Sequence, residues 1–240
     1  MTNETTTIAL VTGANKGLGR ETVRRLAESG WAVYLAARDA ERGTAAVAEL
    51  GAAGLTVRFV QLDVTSDESV SAAAELVRTQ AGRLDVLINN AAIGGPMLPP
   101  SDTTPAELRE LFETNVFGPI RVTHAFLPLL RESAHPRIVM VSSGVGSIEV
   151  LNDVRFAALP PALGYPASKA TLNMLTSQYA KELTDIRVNA VDPGYTATDL
   201  NGHSGPQTVT EGTDAIVEMA GIGADGPTGG FFNRLGSVPW

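Results

Sequence analysis

The chain has 240 residues, 44% hydrophobic and 18% charged, an ordinary globular composition with enough apolar content for a full core. Its formal charge of −8 argues against a nucleic-acid backbone or an anionic membrane surface as the main partner, and leaves room for a local basic pocket. The absence of cysteine excludes disulfides, thiol nucleophiles and thiolate metal sites together. The histidines, His124, His135 and His203, have no ligand-like spacing, so no metal is expected. Residues 1–7 are polar and do not read as a signal peptide, and no apolar run reaches membrane-spanning length. A cytoplasmic chain is the expectation.

Ile8–Val11 is a short apolar run, followed by Thr12-Gly13-Ala14-Asn15-Lys16-Gly17-Leu18-Gly19. Val23, Leu26 and Ala27 then repeat at helical spacing up to Gly30. A strand, a glycine-rich turn and a helix aim backbone N–H groups and the helix dipole at an anion, usually a pyrophosphate. The spacing is G-x-x-x-G-x-G, and no Gly-Lys-Ser/Thr follows as a P-loop requires. A plain strand-to-helix turn needs one glycine rather than three, so phosphate binding is expected.

Residues 31–37 read as the second strand, ending at Arg38-Asp39. In dinucleotide folds an acid here holds the ribose 2′-hydroxyl and a base holds a 2′-phosphate. Arg38 with Lys16 predicts a cationic cradle for that phosphate. NADPH is therefore expected ahead of NADH, and Asp39 is the residue that would reverse the order. Residues 56–62 are strand-like, with Asp63-Val64 at their carboxyl end, where a cofactor base fits. Residues 65–82 predict an alanine-rich helix with a Ser66-x-x-Ser69 start, and 84–88 a strand ending in Asn89-Asn90-Ala91-Ala92. Such asparagines bond neighbouring backbone groups or border a cofactor.

A loop at 93–104 leads to Thr104-Pro105, which opens a long helix expected to bend at Gly118-Pro119. Asn115 lies in it among Phe112, Val116 and Phe117, so it is expected to be buried or partnered. Arg137–Val141 is another strand, ending at Ser142-Ser143. From 144 to 164 the pattern breaks, as in an insertion or lid. The next helix opens on Tyr165-Pro166-Ala167-Ser168-Lys169. A phenol and an ammonium four residues apart share one helix side. The cation is expected to draw the phenol below its usual value of about 10, suiting it to proton transfer in carbonyl/alcohol interconversion. Alone the pair occurs by chance in many helices, and Pro166 at the first helical position would leave Tyr165 at the cap. A strand at 186–191, Asp192-Pro193-Gly194, a flexible segment to Thr208, a helix at 209–220 and a last strand near 230–232 complete the chain. These units predict an α/β fold. It is a single Rossmann-type doubly wound parallel sheet with helices on both faces, spanning 1–240 as one NAD(P)-binding domain.

From about Ile8 to the C-terminus, these motifs in this order resemble the short-chain dehydrogenase/reductase family. They are Thr12-Gly-x-x-x-Gly-x-Gly19, Asp63, Asn89-Asn90-Ala91, Asn115, Ser142-Ser143, Tyr165-x-x-Ser-Lys169 and Pro193-Gly194. Asn15-Lys16, Ala37-Arg38-Asp39 and the tail from Gly226 to Asn233 further resemble its carbonyl-reductase-like members, which mostly prefer NADPH. The resemblance implies a catalytic tetrad. Tyr165 would be the acid or base at the carbonyl oxygen, and Lys169 would depress its pKa and hold the cofactor ribose. Ser143 would bond the substrate oxygen, and Asn115 would fix a water leading to Lys169. Thr196 and Thr198, after the Pro193-Gly194 turn, would position the nicotinamide and its phosphates. The implied cofactor contacts are Gly13, Asn15, Lys16, Gly17, Leu18, Gly19, Arg38, Asp63, Val64, Asn90, Ala91, Tyr165, Lys169, Pro193, Gly194, Thr196 and Thr198.

Two positions depart from the family: Ala92 stands where glycine is usual, and Ser143 and Tyr165 are further apart. The 144–164 insertion can shape the substrate pocket and mask the helix face used for dimerisation, leaving dimer, tetramer and monomer all open. The expected activity is NADPH-dependent, reversible reduction of a ketone or aldehyde. Met97, Leu98, Val145, Ile148, Phe156, Leu159 and Tyr195, from the loops around 94–104, 144–164 and 195–208, suggest a hydrophobic or aromatic small-molecule substrate. The alternatives are a catalytically silent cofactor-binding regulator, or a family member acting on an imine or a sugar.

Overall fold

The computed structural model describes residues 6–154 and 159–240. Among them, eight strands make one sheet in the order β3-β2-β1-β4-β5-β6-β7-β8. The strands are β1 (Ile8–Val11), β2 (Ala32–Ala37), β3 (Val57–Gln61), β4 (Val86–Asn89), β5 (Arg137–Val141), β6 (Arg187–Val191), β7 (Phe231–Asn233) and β8 (Gly236–Ser237). All neighbours pair in parallel except β7 and β8, an antiparallel hairpin at one edge that the apolar pattern did not announce.

The sheet is buried on both sides because alternate side chains leave a strand on opposite faces. Leu10, Tyr34, Leu87, Ile138 and Val188 face one side, under Val77, Phe126 and Leu172 from the helices α3 (Asp67–Ala81), α5 (Gly118–Arg131) and α7 (Gly164–Glu182). Ala9, Val11, Leu35, Ile88 and Val139 face the other, under α1 (Gly17–Glu28), α2 (Ala40–Ala52) and α9 (Asp214–Ala220). The chain moves outward from β1 through β2 to β3, then returns to place β4 on the other side of β1. That reversal opens a crevice at the carboxyl ends of the strands, where open α/β sheets take their ligands. No helix among the described residues is long and apolar enough to cross a membrane.

Several boundaries fall as the sequence indicates. Ser66 caps α3 by accepting from the Ser69 N–H, and Gly82 closes it in the left-handed conformation. Thr104 and Glu107 form a reciprocal capping box at the start of α4 (Pro105–Phe112). The expected bend at Gly118-Pro119 lies one step earlier, in a π-helical turn over Glu113–Phe117 centred on Asn115, and Pro119 sits in the first turn of α5. Tyr165 is inside α7 rather than at its cap: Leu163 caps the helix, and Pro166 falls in the first turn, where no N–H bond is lost. The helix expected at 209–220 divides at Thr213 into α8 (Val209–Gly212) and α9. The 144–164 stretch carries a 3₁₀ turn over Gly144–Gly146 and the short α6 (Ile148–Leu151). Phe156 lies outside the described residues.

Candidate active site

A cleft of about 750 Å³ runs along the carboxyl ends of β1, β2, β3 and β4. Gly13, Asn15, Lys16, Gly17, Leu18, Gly19, Arg38, Asp63, Val64, Asn90, Ala91 and Thr198 line it, and Tyr165, Lys169, Pro193, Gly194 and Thr196, also expected as cofactor contacts, lie outside that lining. The glycine turn is held from the β4 side. The Thr12 hydroxyl accepts from the backbone N–H of Asn90 (2.9 Å) and Ala91 (3.0 Å), and the Asn90 amide donates to the Thr12 carbonyl at 2.8 Å. A Cβ at Gly19 would lie 2.5 Å from that amide nitrogen and 2.8 Å from Ala14 Cα, and one at Gly13 2.8 Å from Ala91 Cα. Thr12 thus locks the turn, a role its place before Gly13 could have suggested. Asn89 points into the core instead, donating to the Thr123 hydroxyl at 3.1 Å. The start of α1 stays open: Lys16, its N-cap, makes no side-chain cap bond, and no acid occupies the first turn. Free backbone N–H groups therefore edge the cleft at the positive end of a helix.

At the end of β2, Asp39 is the N-cap of α2, accepting from the Arg42 N–H at 3.0 Å. Arg38, Asp39 and Arg42 all line the cleft. Arg42, in the first turn of α2 just past the Asp39 cap, was missed in the sequence, where only its nearness to the end of the second strand could have pointed to it. Burial raises the Asp63 carboxyl, but the Thr65 N–H and hydroxyl (2.9 and 2.7 Å), with Arg38 and Arg121 nearby, more than offset it and leave it below its ordinary value. Lys16, expected to stand free beside Arg38, instead pairs with Asp199 at 2.6 Å.

The catalytic candidates gather where β5 and α7 meet. Ser142 is buried and hydrogen-bonded to Asn173 of α7, which leaves Ser143 as the serine facing Tyr165. The Ser143 hydroxyl faces the Tyr165 oxygen and favours its ionised form. Lys169 is buried, its Nζ 5.6 Å from the Tyr165 ring centroid and donating to the Val141 carbonyl at 2.8 Å. The expected lowering of the phenol does not occur. Burial pushes Tyr165 up to about 12, and the nearby Asp192 carboxylate acts in the same direction, against a lowering by the Ser143 hydroxyl. Burial likewise pushes Lys169 down to about 8, and the ammonium is directed at a carbonyl rather than the phenol oxygen. Asn115 uses its whole side chain as a brace. Its oxygen accepts from the Ile93 N–H (2.9 Å), and its amide donates to the Ile93 carbonyl (2.9 Å) and the Ser168 hydroxyl (3.1 Å). It ties the cleft wall at Ile93 to the first turn of α7.

After β6 the chain forms a strap over 195–208. Gly194 takes a left-handed turn (φ 70°) that a side chain would block, since a Cβ there would lie 2.2 Å from the Gln207 amide oxygen. The Thr196 hydroxyl is spent on the Pro193 carbonyl at 3.0 Å, whereas Thr198 reaches the cleft.

A doubly wound sheet with a glycine turn and an open helix start on the cleft, and a Ser-Tyr-Lys corner where β5 ends, defines a nucleotide-dependent oxidoreductase. The family model described as short chain dehydrogenase matches residues 7–208, and the chain belongs to that family, whose members bind NAD(P). It is similar to the (+)-neomenthol dehydrogenase of Arabidopsis thaliana, 36% identical over 98% of this chain and 98% of that protein. It is also similar to the (−)-isopiperitenone reductase of Mentha piperita, 34% identical over 94% of this chain and 96% of that protein. Among solved structures, the NADPH-bound carbonyl reductase from chicken fatty liver superposes with a TM-score of 0.87 at 29% identity, over 98% of this chain and 99% of that one. This chain is an oxidoreductase enzyme.

Proposed function

We propose that the chain is an NADPH-dependent reductase that turns an apolar ketone or aldehyde into the alcohol, with Tyr165 supplying the proton. The observation that carries this is the grouping of Ser143, Tyr165 and buried Lys169 where β5 and α7 meet, around a phenol that keeps its proton at neutral pH. A phenol near 12 is placed to give its proton to a developing alkoxide, whereas the reverse reaction needs the phenolate and therefore alkaline conditions. Ser143 holds the carbonyl oxygen against the same phenol. Lys169 lies under the phenol, where its positive charge steadies the phenolate once the proton has gone. Asn115 keeps the cleft wall and α7 in register, so that the acid stands beside the nucleotide site.

The residues fit a dinucleotide. The unsatisfied N–H groups of α1 suit a pyrophosphate, and the glycines leave the space that a Cβ would fill. Arg38 and Arg42 suit a 2′-phosphate, while Asp39 has one oxygen engaged as the helix cap and the other 3.6 Å from the Arg42 guanidinium. When bound, NADPH supplies the hydride. The rim supports an apolar substrate: Met97, Ile148, Val154, Leu159, Tyr195 and Leu200 are all exposed around the strap and the two loops. The carbonyl-reductase and isopiperitenone-reductase relatives support the direction.

NADPH and NADH consumption against aromatic, aliphatic and sugar carbonyls tests the proposal. Faster oxidation of NADPH with an apolar ketone is expected. Faster oxidation of NADH would mean that Arg38 and Arg42 do not choose the cofactor, and binding of NADPH without turnover of any carbonyl would favour a regulator.

A further inference from the structure

The strap is braced by its own bonds. The Asn201 side chain accepts from the Thr198 N–H (3.2 Å) and donates to the Thr196 carbonyl (2.9 Å), the Ala197 N–H donates to the Gln207 carbonyl (2.9 Å), and Tyr195 and Ser204 share a hydrogen bond at 2.5 Å. These bonds tie the strap into one unit. It stands over the opposite walls of the cleft at two places, Thr198 facing Gly17 and Leu200 facing Gly94, each within 4 Å of where a Cβ on that glycine would lie. Between them Asp199 reaches Lys16, which is 183 residues away in sequence and on the glycine turn. Among the described residues this is the one ion pair joining strap and turn. Lys16 and Asp199 both line the cleft, so the pair bridges its mouth. His203 holds the second Asp199 oxygen at 2.8 Å and so orients the carboxylate.

We propose that the Lys16–Asp199 pair is a clasp that closes the strap over the bound dinucleotide and sets how fast the cofactor leaves. This rests on the cleft being the dinucleotide site. A nucleotide seated against the open start of α1 lies beneath the bridge, and the pair must part before its phosphates can leave. Asp199 is then a positioning residue, acting on release through Lys16.

The test follows cofactor fluorescence by stopped-flow displacement on the full chain, with NADPH and with NADH. Asp199→Asn keeps the shape and removes the charge, and should release either cofactor about fivefold faster, the size expected when an exposed ion pair is lost. Wild-type release should accelerate with added salt more steeply than that of the variant, which keeps only the salt dependence of the cofactor's own phosphates. NADH has no 2′-phosphate for Lys16 to hold, so it isolates the clasp. With NADH, the charge reversal Lys16→Asp with Asp199→Lys should restore slow release. An Asp199→Asn variant that releases both cofactors at the wild-type rate overturns the proposal, as does a reversed pair that stays as fast as the single variant. Tighter NADPH binding with slower release in Asp199→Asn also overturns it, because Asp199 would then compete with the cofactor for Lys16. A wild-type chain that binds neither cofactor overturns the dinucleotide site, and the clasp with it.

Discussion

The nucleotide wall and the substrate rim are built by opposite means. At the wall, Thr12 and Asn90 are bonded to the backbone of the glycine turn, Asp39 is spent as a cap and Asp63 is held by Thr65. These side chains are partnered within the chain, so the shape is set before a ligand arrives, and the free N–H groups at the start of α1 are left for the ligand itself. At the rim, Ile148, Val154 and Met97 are 72%, 85% and 65% exposed. Apolar side chains held by so few contacts can be exchanged without cost to the fold. The wall carries what any substrate of this enzyme needs, and the rim can change with the substrate.

That contrast can be broken most sharply at Gly19. Gly19→Ala drives a methyl into the Asn90 amide and the Ala14 backbone, which should cost about 2 kcal/mol. A fall of about 6 °C in Tm and loss of NADPH binding are expected, read by thermal melting and fluorescence titration. Arg38→Ser or Arg42→Ser should raise the KM for NADPH about tenfold and leave that for NADH unchanged. An equal effect on both cofactors would mean that the arginines only shape the cleft.

Asp192→Asn probes the join between wall and rim. The carboxylate raises the Tyr165 pKa, so its removal lowers it from about 12. Alcohol oxidation uses the phenolate, so the alkaline rise in its pH–rate profile should move to lower pH. Ketone reduction uses the phenol and should stay level around neutrality. The smallest effect belongs to the rim. Ile148→Ala should raise the KM for an apolar ketone about threefold and leave Tm unmoved.

What was legible in the sequence divides along the same line. Four-residue apolar runs such as Ile8–Val11, glycines between a strand and a helix, and Ser66 three residues before Ser69 each encode their structure locally, and β1, α1 and α3 follow them. The π turn at Asn115 was not legible, because it arises from the side chain bonding Ile93 and Ser168, which are 22 and 53 residues away. The direction of the Tyr165 shift was misread for a related reason. Helical spacing places Lys169 on the right side but says nothing of burial, which dominates, or of Asp192 arriving from β6. The partner of Lys16 came from the strap, where no periodicity ties Asp199 to the first turn of the fold.

The central claim is that the chain itself supplies the proton from Tyr165 beside a separately bound NADPH. Tyr165→Phe keeps the ring and removes only the hydroxyl, and NADPH affinity and ketone turnover are to be measured on the same sample. Binding within about twofold of wild type and turnover lower by about 10³-fold are expected. Turnover close to wild type in Tyr165→Phe would contradict it, because the proton would then come from elsewhere.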